Sequence, residues 1–187
     1  MSTFPLRLAA AVLCTFILSA CSTTIFRLEK AAAAPMEKVA TIVVSKVALR
    51  YVDNRIFDLC TFDEGLCGVQ VLPGEHKLQY NVYTTEYARD RGRSPNRNSL
   101  HNRISRLKFE HSVQLQEGMV YELSFNEEVV KSFKENVSKN NYPIEMVRGE
   151  IGKYITFKAY ENKDLEKMVS KIKKSKIIRT SEYRPDI

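Results

Sequence analysis

Between His76 and Tyr83 (HKLQYNVY), Leu78, Tyr80 and Val82 alternate with Lys77, Gln79 and Asn81. A period of two throws successive side chains to opposite sides of the backbone, which suits a strand with one dry face and one wet face. Leu107, Phe109, His111, Val113 and Leu115 repeat the arrangement against Lys108, Glu110, Ser112 and Gln114. Glu117-Gly118 then interrupts the pattern, and Tyr121, Leu123 and Phe125 resume it. The interruption predicts a hairpin over residues 107–125. Upstream, VATIVVSKVALRYV is dense in β-branched residues, and Asp53-Asn54 marks a turn before Arg55-Ile56-Phe57. Val69 to Leu72, and Ile151 to Tyr160 with Ile155, Phe157 and Ala159 on one face, complete the strand candidates.

Two stretches break this rhythm. Val130, Phe133 and Val137 fall at helical spacing within 127–140, and Leu165, Met168, Val169 and Ile172 form one apolar stripe within 162–176. Asn162 and Asp164 suit the start of that second helix. The expectation is a mainly β chain, an antiparallel sandwich of six to eight strands with one or two peripheral helices. Its predicted divisions are 1–20, 21–36, 37–161 (the β domain) and 162–187 (a helix and a polar tail).

The first division carries an address. Arg7 precedes an apolar run from Leu8 to Leu18 that is too short to span a bilayer, which takes about 20 residues. The run ends in Leu18-Ser19-Ala20-Cys21, which resembles the bacterial lipobox. The resemblance implies cleavage before Cys21, acyl chains on that residue's sulfur and amino group, and anchoring in the cell envelope by lipid alone. Ser22 stands where an Asp tends to mark inner-membrane retention, so the resemblance implies the outer membrane, facing the periplasm or the surface. Residues 22–36 (STTIFRLEKAAAAPM) read as a spacer, because an isolated helix of this length is marginal and Pro35 stops it.

Export changes the meaning of the charge. The chain has 29 Lys and Arg against 22 Asp and Glu, a formal +7. Inside a cell that excess would suit nucleic acid, but in an envelope the anionic polymers are lipid head groups, lipopolysaccharide and cell-wall material. The excess concentrates at Arg89, Arg91, Arg93, Arg97, Arg103 and Arg106, opposed only by Asp90 between 87 and 108. Gly92, Pro95 and neighbouring Asn and Ser residues make this a long loop, read as an anion-binding element or as a solvated one. Arg favours bidentate contact with phosphate or carboxylate. The Lys-rich end of the second helix (Lys171, Lys173, Lys174, Lys176) extends the same patch or complements the helix dipole.

Cys14 leaves with the signal and Cys21 carries lipid, so Cys60 and Cys67 remain as a pair in an oxidising compartment. A disulfide between them closes a short loop and contributes about 2.5 kcal/mol by chain entropy. Their spacing does not match the usual zinc or redox motifs. His76, His101 and His111 show no metal spacing, and His76, at a strand start, reads as locally hydrogen-bonded. Asp63-Glu64 reads as an exposed acidic tip. No G-x-S-x-G, H-E-x-x-H or phosphate-binding glycine loop occurs.

Tyr51-Val52-Asp53-Asn54-Arg55, followed by Val71-Leu72-Pro73-Gly74-Glu75-His76-Lys77-Leu78, resembles a hairpin theme of PEGA-like and other small envelope-lipoprotein β-domains. The resemblance implies a small β-sandwich used for attachment or scaffolding and implies no catalytic residue; separately, no cofactor or metal is expected. The expected function is a non-catalytic, lipid-anchored binding or scaffolding role toward an anionic lipid, lipopolysaccharide or an envelope protein. The alternatives are an accessory subunit of a secretion or transport machine and an envelope glycan or peptide hydrolase.

Overall fold

The computed structural model describes residues 24–56, 67–90, 96, 99–137 and 143–179. Ten strands occur among them: β1 (Thr24–Arg27), β2 (Ala40–Ser45), β3 (Val47–Val52), β4 (Arg55–Ile56), β5 (Cys67–Val71), β6 (Gly74–Val82), β7 (Lys108–Leu115), β8 (Val120–Phe125), β9 (Ile155–Ala159) and β10 (Lys176–Arg179). They form a six-stranded sheet in the order β10-β1-β5-β2-β8-β9 and a four-stranded sheet in the order β4-β3-β6-β7. Five helices accompany them: α1 (Thr85–Asp90), α2 (Leu100–Ile104), α3 (Glu128–Val137), α4 (Ile144–Gly152) and α5 (Asn162–Lys173).

The two sheets share one core. Ile42, Val44, Val69 and Leu123 of the larger sheet meet Leu49, Val52, Leu78, Tyr80 and Val82 of the smaller. The opposite face of the larger sheet offers Ile25, Val43 and Val120, covered by Met168 and Ile172 of α5. Sequence and layering therefore correspond. β6 alternates because its outer face is wet, whereas β2 is buried without a break from Ala40 to Val44 (ATIVV) because both its faces are covered.

The chain is β-rich with two sheets, as expected, but the larger sheet is mixed and not antiparallel. β1 runs parallel to both β10 and β5, and β2 runs parallel to β8. The hairpin expected over 107–125 is not formed: β7 pairs with β6 in the small sheet, while β8 pairs with β2 and β9 in the large one. Gly118 turns the chain between sheets at φ 70°, and its N–H donates to the carbonyl of Val39. An added Cβ there would stand 3.2 Å from the carbonyl oxygen of Glu37. Leu72-Pro73 likewise carries the chain from β5 in one sheet to β6 in the other, so this part of the envelope-domain motif is an arch and not a hairpin. Only β3 and β4 make the tight hairpin foreseen, with Asp53 and Asn54 both at positive φ.

The expected spacer over 22–36 is part of the fold from Thr24 onward. Ile25, Phe26, Leu28 and Ala31 are buried. Arg27 Nε donates to Gln70 Oε1 (2.7 Å), its guanidinium also donates to the Ala34 carbonyl (3.0 Å), and Gln70 Nε2 donates to Thr41 Oγ1 (3.3 Å). This relay ties the Ala-rich run across the sheet. At the other terminus, β10 follows α5 and adds a sheet edge between the helix expected over 162–176 and the polar tail expected from Arg179. Residues 144–152, read partly as strand, are helix α4, anchored by buried Val147 and Ile151.

Candidate functional site

Strand direction gathers the chemistry at one end of the large sheet. β1 begins there, Thr24 facing Cys67 at the start of β5 and Lys176 at the start of β10. The antiparallel β2 ends there, Val44 facing Cys67, and β8 ends beside Ser45. Lys46 then turns the chain into the small sheet at φ 56°. A lysine in this left-handed region costs about 1–2 kcal/mol, so something must hold it.

Glu127 does. Its carboxylate accepts from Lys46 Nζ, the Thr85 backbone N–H and Thr85 Oγ1, each at 2.7 Å. Three connections meet in this group: β2 to β3, β6 to α1 and β8 to α3. Its side chain is 14% exposed. Desolvation pushes the Glu127 pKa up, but the hydrogen bonds from Lys46 and Thr85 outweigh it and hold the carboxyl below its ordinary value.

The basic residues converge on this end. Tyr160 N–H donates to the carbonyl of Val120 at the start of β8, so α5 begins at the far end and runs back. Its last turn delivers exposed Lys171, Lys173 and Lys174 beside the entry of the chain at Thr24. From Thr85, held on Glu127, the arginine-bearing segment departs. It is not one loop: Arg89 lies exposed on α1, Arg103 lies on α2, and Arg106 is exposed just after it. Arg91, Arg93 and Arg97 lie outside the described residues, as do Cys21, Cys60, Asp63 and Glu64. Cys67 is buried at the start of β5 and carries no free thiol.

The three histidines separate. His76 is held locally, Nδ1 against Asp53 Oδ2 (2.6 Å) and Nε2 against the Leu72 carbonyl (2.7 Å). Asp53 Oδ1 also accepts from the Lys77 backbone N–H (2.9 Å), so this pair fastens the β3–β4 turn to β6. His111, placed on the apolar face by its spacing, is exposed on the sheet-edge strand β7 and contacts Tyr80 Oη. Burial raises the pKa of Tyr80. His101, read as a loop residue, is buried in α2.

Around His101 the order of groups is hydroxyl, imidazole, carboxylate. Thr84 Oγ1 lies 3.1 Å from Nδ1, and Nε2 lies against the carboxylate of Glu86. That order matches a nucleophilic triad, yet Thr84 is fully buried and also accepts from the Tyr87 N–H (3.1 Å) as the cap of α1. No substrate reaches that hydroxyl, and the trio instead fastens α1 to α2. No set of three His, Cys, Asp or Glu able to hold a metal occurs among the described residues.

A cavity of about 600 Å3 opens over the small sheet, lined by Arg50 and Tyr51 of β3, Gln79 and Asn81 of β6, Lys108 and Glu110 of β7, and Arg148 of α4. The register of β3 against β6 shifts between Leu49 and Tyr51. The shift lets Leu49 and Val52 both stay in the core while Arg50 and Tyr51 both stand half-exposed. Arg50 donates to Tyr83 Oη at 3.2 Å. Nothing in the sequence marks this site, because a bulge leaves no reliable residue signature and Arg148 is remote along the chain. Compared with protein families and with curated proteins, the chain matches none.

Proposed function

We propose that this chain is a lipid-anchored envelope protein that binds an envelope component without catalysis, held with its basic end against the membrane. The supporting observation is topological: Thr24 already begins strand β1 of the large sheet, paired on both sides by β10 and β5. Only three residue steps separate it from Cys21, and three steps reach at most about 11 Å. A lipid on Cys21 therefore brings the Thr24 end of the large sheet to the head-group layer, where Lys171, Lys173 and Lys174 stand exposed. Basic residues near such a surface each contribute about 1 kcal/mol when the lipids are anionic. Among the described residues no helix is long and apolar enough to cross a membrane, which is compatible with anchoring by lipid.

The two sheets facing one core, joined by arches at Lys46, Leu72-Pro73 and Gly118, support a sandwich-type scaffold akin to the immunoglobulin and PEGA-like domains. Intact-mass analysis of the mature N-terminus tests the anchor: acylated Cys21 is expected, and an unmodified N-terminus at any other residue refutes it. Flotation of the chain starting at Ser22 with vesicles containing 30% phosphatidylglycerol tests the orientation. Weakened binding of the Lys171→Ser, Lys173→Ser, Lys174→Ser variant is expected, and unchanged flotation refutes the basic-end contact.

A further inference from the structure

We infer that the cavity over the small sheet binds a neutral saccharide, held by polar groups that the fold leaves without partners. The inference supplies a ligand class for the non-catalytic binding proposed above and rests on that reading, but not on the anchor. The lining divides into engaged and unengaged groups. Arg50 is committed to Tyr83 Oη (3.2 Å), Arg148 to Glu145 (2.8 Å), and Glu110 to Lys77 Nζ (2.6 Å) and Gln79 Nε2 (2.9 Å). These charged groups already have partners within the protein and demand no counter-ion from a ligand. Among the described residues, the side chains of Tyr51, Asn81 and Lys108 make no hydrogen bond or ion pair. Gln79 gives Nε2 to Glu110 and keeps Oε1 as an acceptor.

The unengaged set selects the chemistry. An amide offers donors and an acceptor, a phenol one of each, and an ammonium donors alone. Ligand hydroxyls both donate and accept, so they satisfy every member of this set. A phosphate or carboxylate only accepts, and would set its lone pairs against Asn81 Oδ1, Gln79 Oε1 and the Glu110 carboxylate. Asn81 is half-buried on the central strand β6, facing Ala48 on one side of the ladder and Lys108 on the other. A half-buried amide without a protein partner is costly unless water or a ligand completes its bonds.

Shape and support point the same way. Tyr51 is half-buried, so its ring gives a flat apolar wall that ends in a hydroxyl. A pyranose has the matching division, a C–H face and a rim of hydroxyls. Tyr51 pairs across the ladder with Gln79, and Gln79 with Glu110, which fixes this row beside Asn81 and Lys108. Side chains carried on three hydrogen-bonded strands are preorganised, which lowers the ordering cost of binding. About 600 Å3 falls within the usual range for small-molecule sites and admits a short saccharide.

Titration of the isotope-labelled chain starting at Ser22, followed by NMR, tests the site with N,N'-diacetylchitobiose, cellobiose and glucose 6-phosphate as probes. Saturable shifts centred on residues 79–81 and 108–110 are expected with at least one of the neutral disaccharides. Binding should weaken about tenfold in Asn81→Ala and about fivefold in Tyr51→Phe, as the loss of ligand hydrogen bonds requires. Far-ultraviolet circular dichroism of both variants should match the parent chain. A preference for N,N'-diacetylchitobiose assigns an N-acetylated glycan, and equal or stronger binding of cellobiose assigns recognition of hydroxyls alone. Absence of saturation up to about 50 mM disaccharide overturns the inference. So do shifts confined to other parts of the chain, undiminished binding in both folded variants, or tighter binding of glucose 6-phosphate than of either disaccharide. Acylation of Cys21 is measured separately, so failure here leaves the anchored role standing and removes only this ligand class.

Discussion

Replacing Glu127 by Ala removes the acceptor shared by three donors, each at 2.7 Å. Hydrogen bonds to a charged group contribute about 1.5–3 kcal/mol each where water is excluded. Here the sum is smaller. The Lys46 side chain is 37% exposed, so its ion pair contributes less than about 1 kcal/mol, and the exposed Thr85 donors can rehydrate. Against that, Glu127 also holds Lys46 in a left-handed turn that opposes folding. The expected loss is about 2–3 kcal/mol, which for a domain of this size lowers Tm by about 5–10 °C.

Glu127→Gln separates charge from shape, and its pH dependence has a definite sign. The folded Glu127 pKa lies below its ordinary value. Its contribution is therefore complete above the unfolded carboxyl pKa of about 4.3 and is lost as pH falls through the folded pKa. The advantage of Glu over Gln in urea unfolding should be full at pH 7 and shrink progressively below about pH 5. A loss under about 1 kcal/mol for the Ala variant, or a Glu–Gln gap that stays constant from pH 7 to pH 3, refutes the argument.

Two further outcomes follow from packing and covalent chemistry. At Gly68, in the middle of the large sheet, a Cβ would stand 2.7 Å from the Ile42 carbonyl oxygen and 2.9 Å from Ile25 Cδ1. Backbone cannot yield as a flexible side chain does, so Gly68→Ala should cost about 3 kcal/mol in chemical denaturation, and an unchanged midpoint contradicts the close approach. We propose that Cys60 and Cys67 form the disulfide. Maleimide labelling of the denatured, unreduced mature chain should find neither sulfur reactive, and Cys60→Ser should expose one thiol; a reactive pair without reductant refutes the bond.

Much of the burial was legible in the residues. Leu78, Tyr80, Val82, Leu123 and Phe125 are buried as their alternation required, and α5 uses Met168 and Ile172 as its stripe indicated. Periodicity reports which side of a strand is dry, because burial acts on each residue locally. It carries no information about the neighbouring strand. That is why the well-matched inward patterns of β7 and β8 predict a hairpin although the two strands lie in different sheets. The same limit hid β1: TIFR is too short for a period to show, and it is stabilised by pairing with β5 and β10, which are distant in the chain.

By itself, the sequence determined the alternating faces, the Asp53-Asn54 turn, the apolar stripe of α5 and the basic excess, because each depends on residues close together along the chain. Tertiary structure decided the rest: parallel pairing in the large sheet, the junction at Glu127, the convergence of lysines beside Thr24, and the cavity where Arg50, Lys108 and Arg148 meet. These depend on contacts between distant segments, whose loop-closure cost is repaid only when both sheets close on one core.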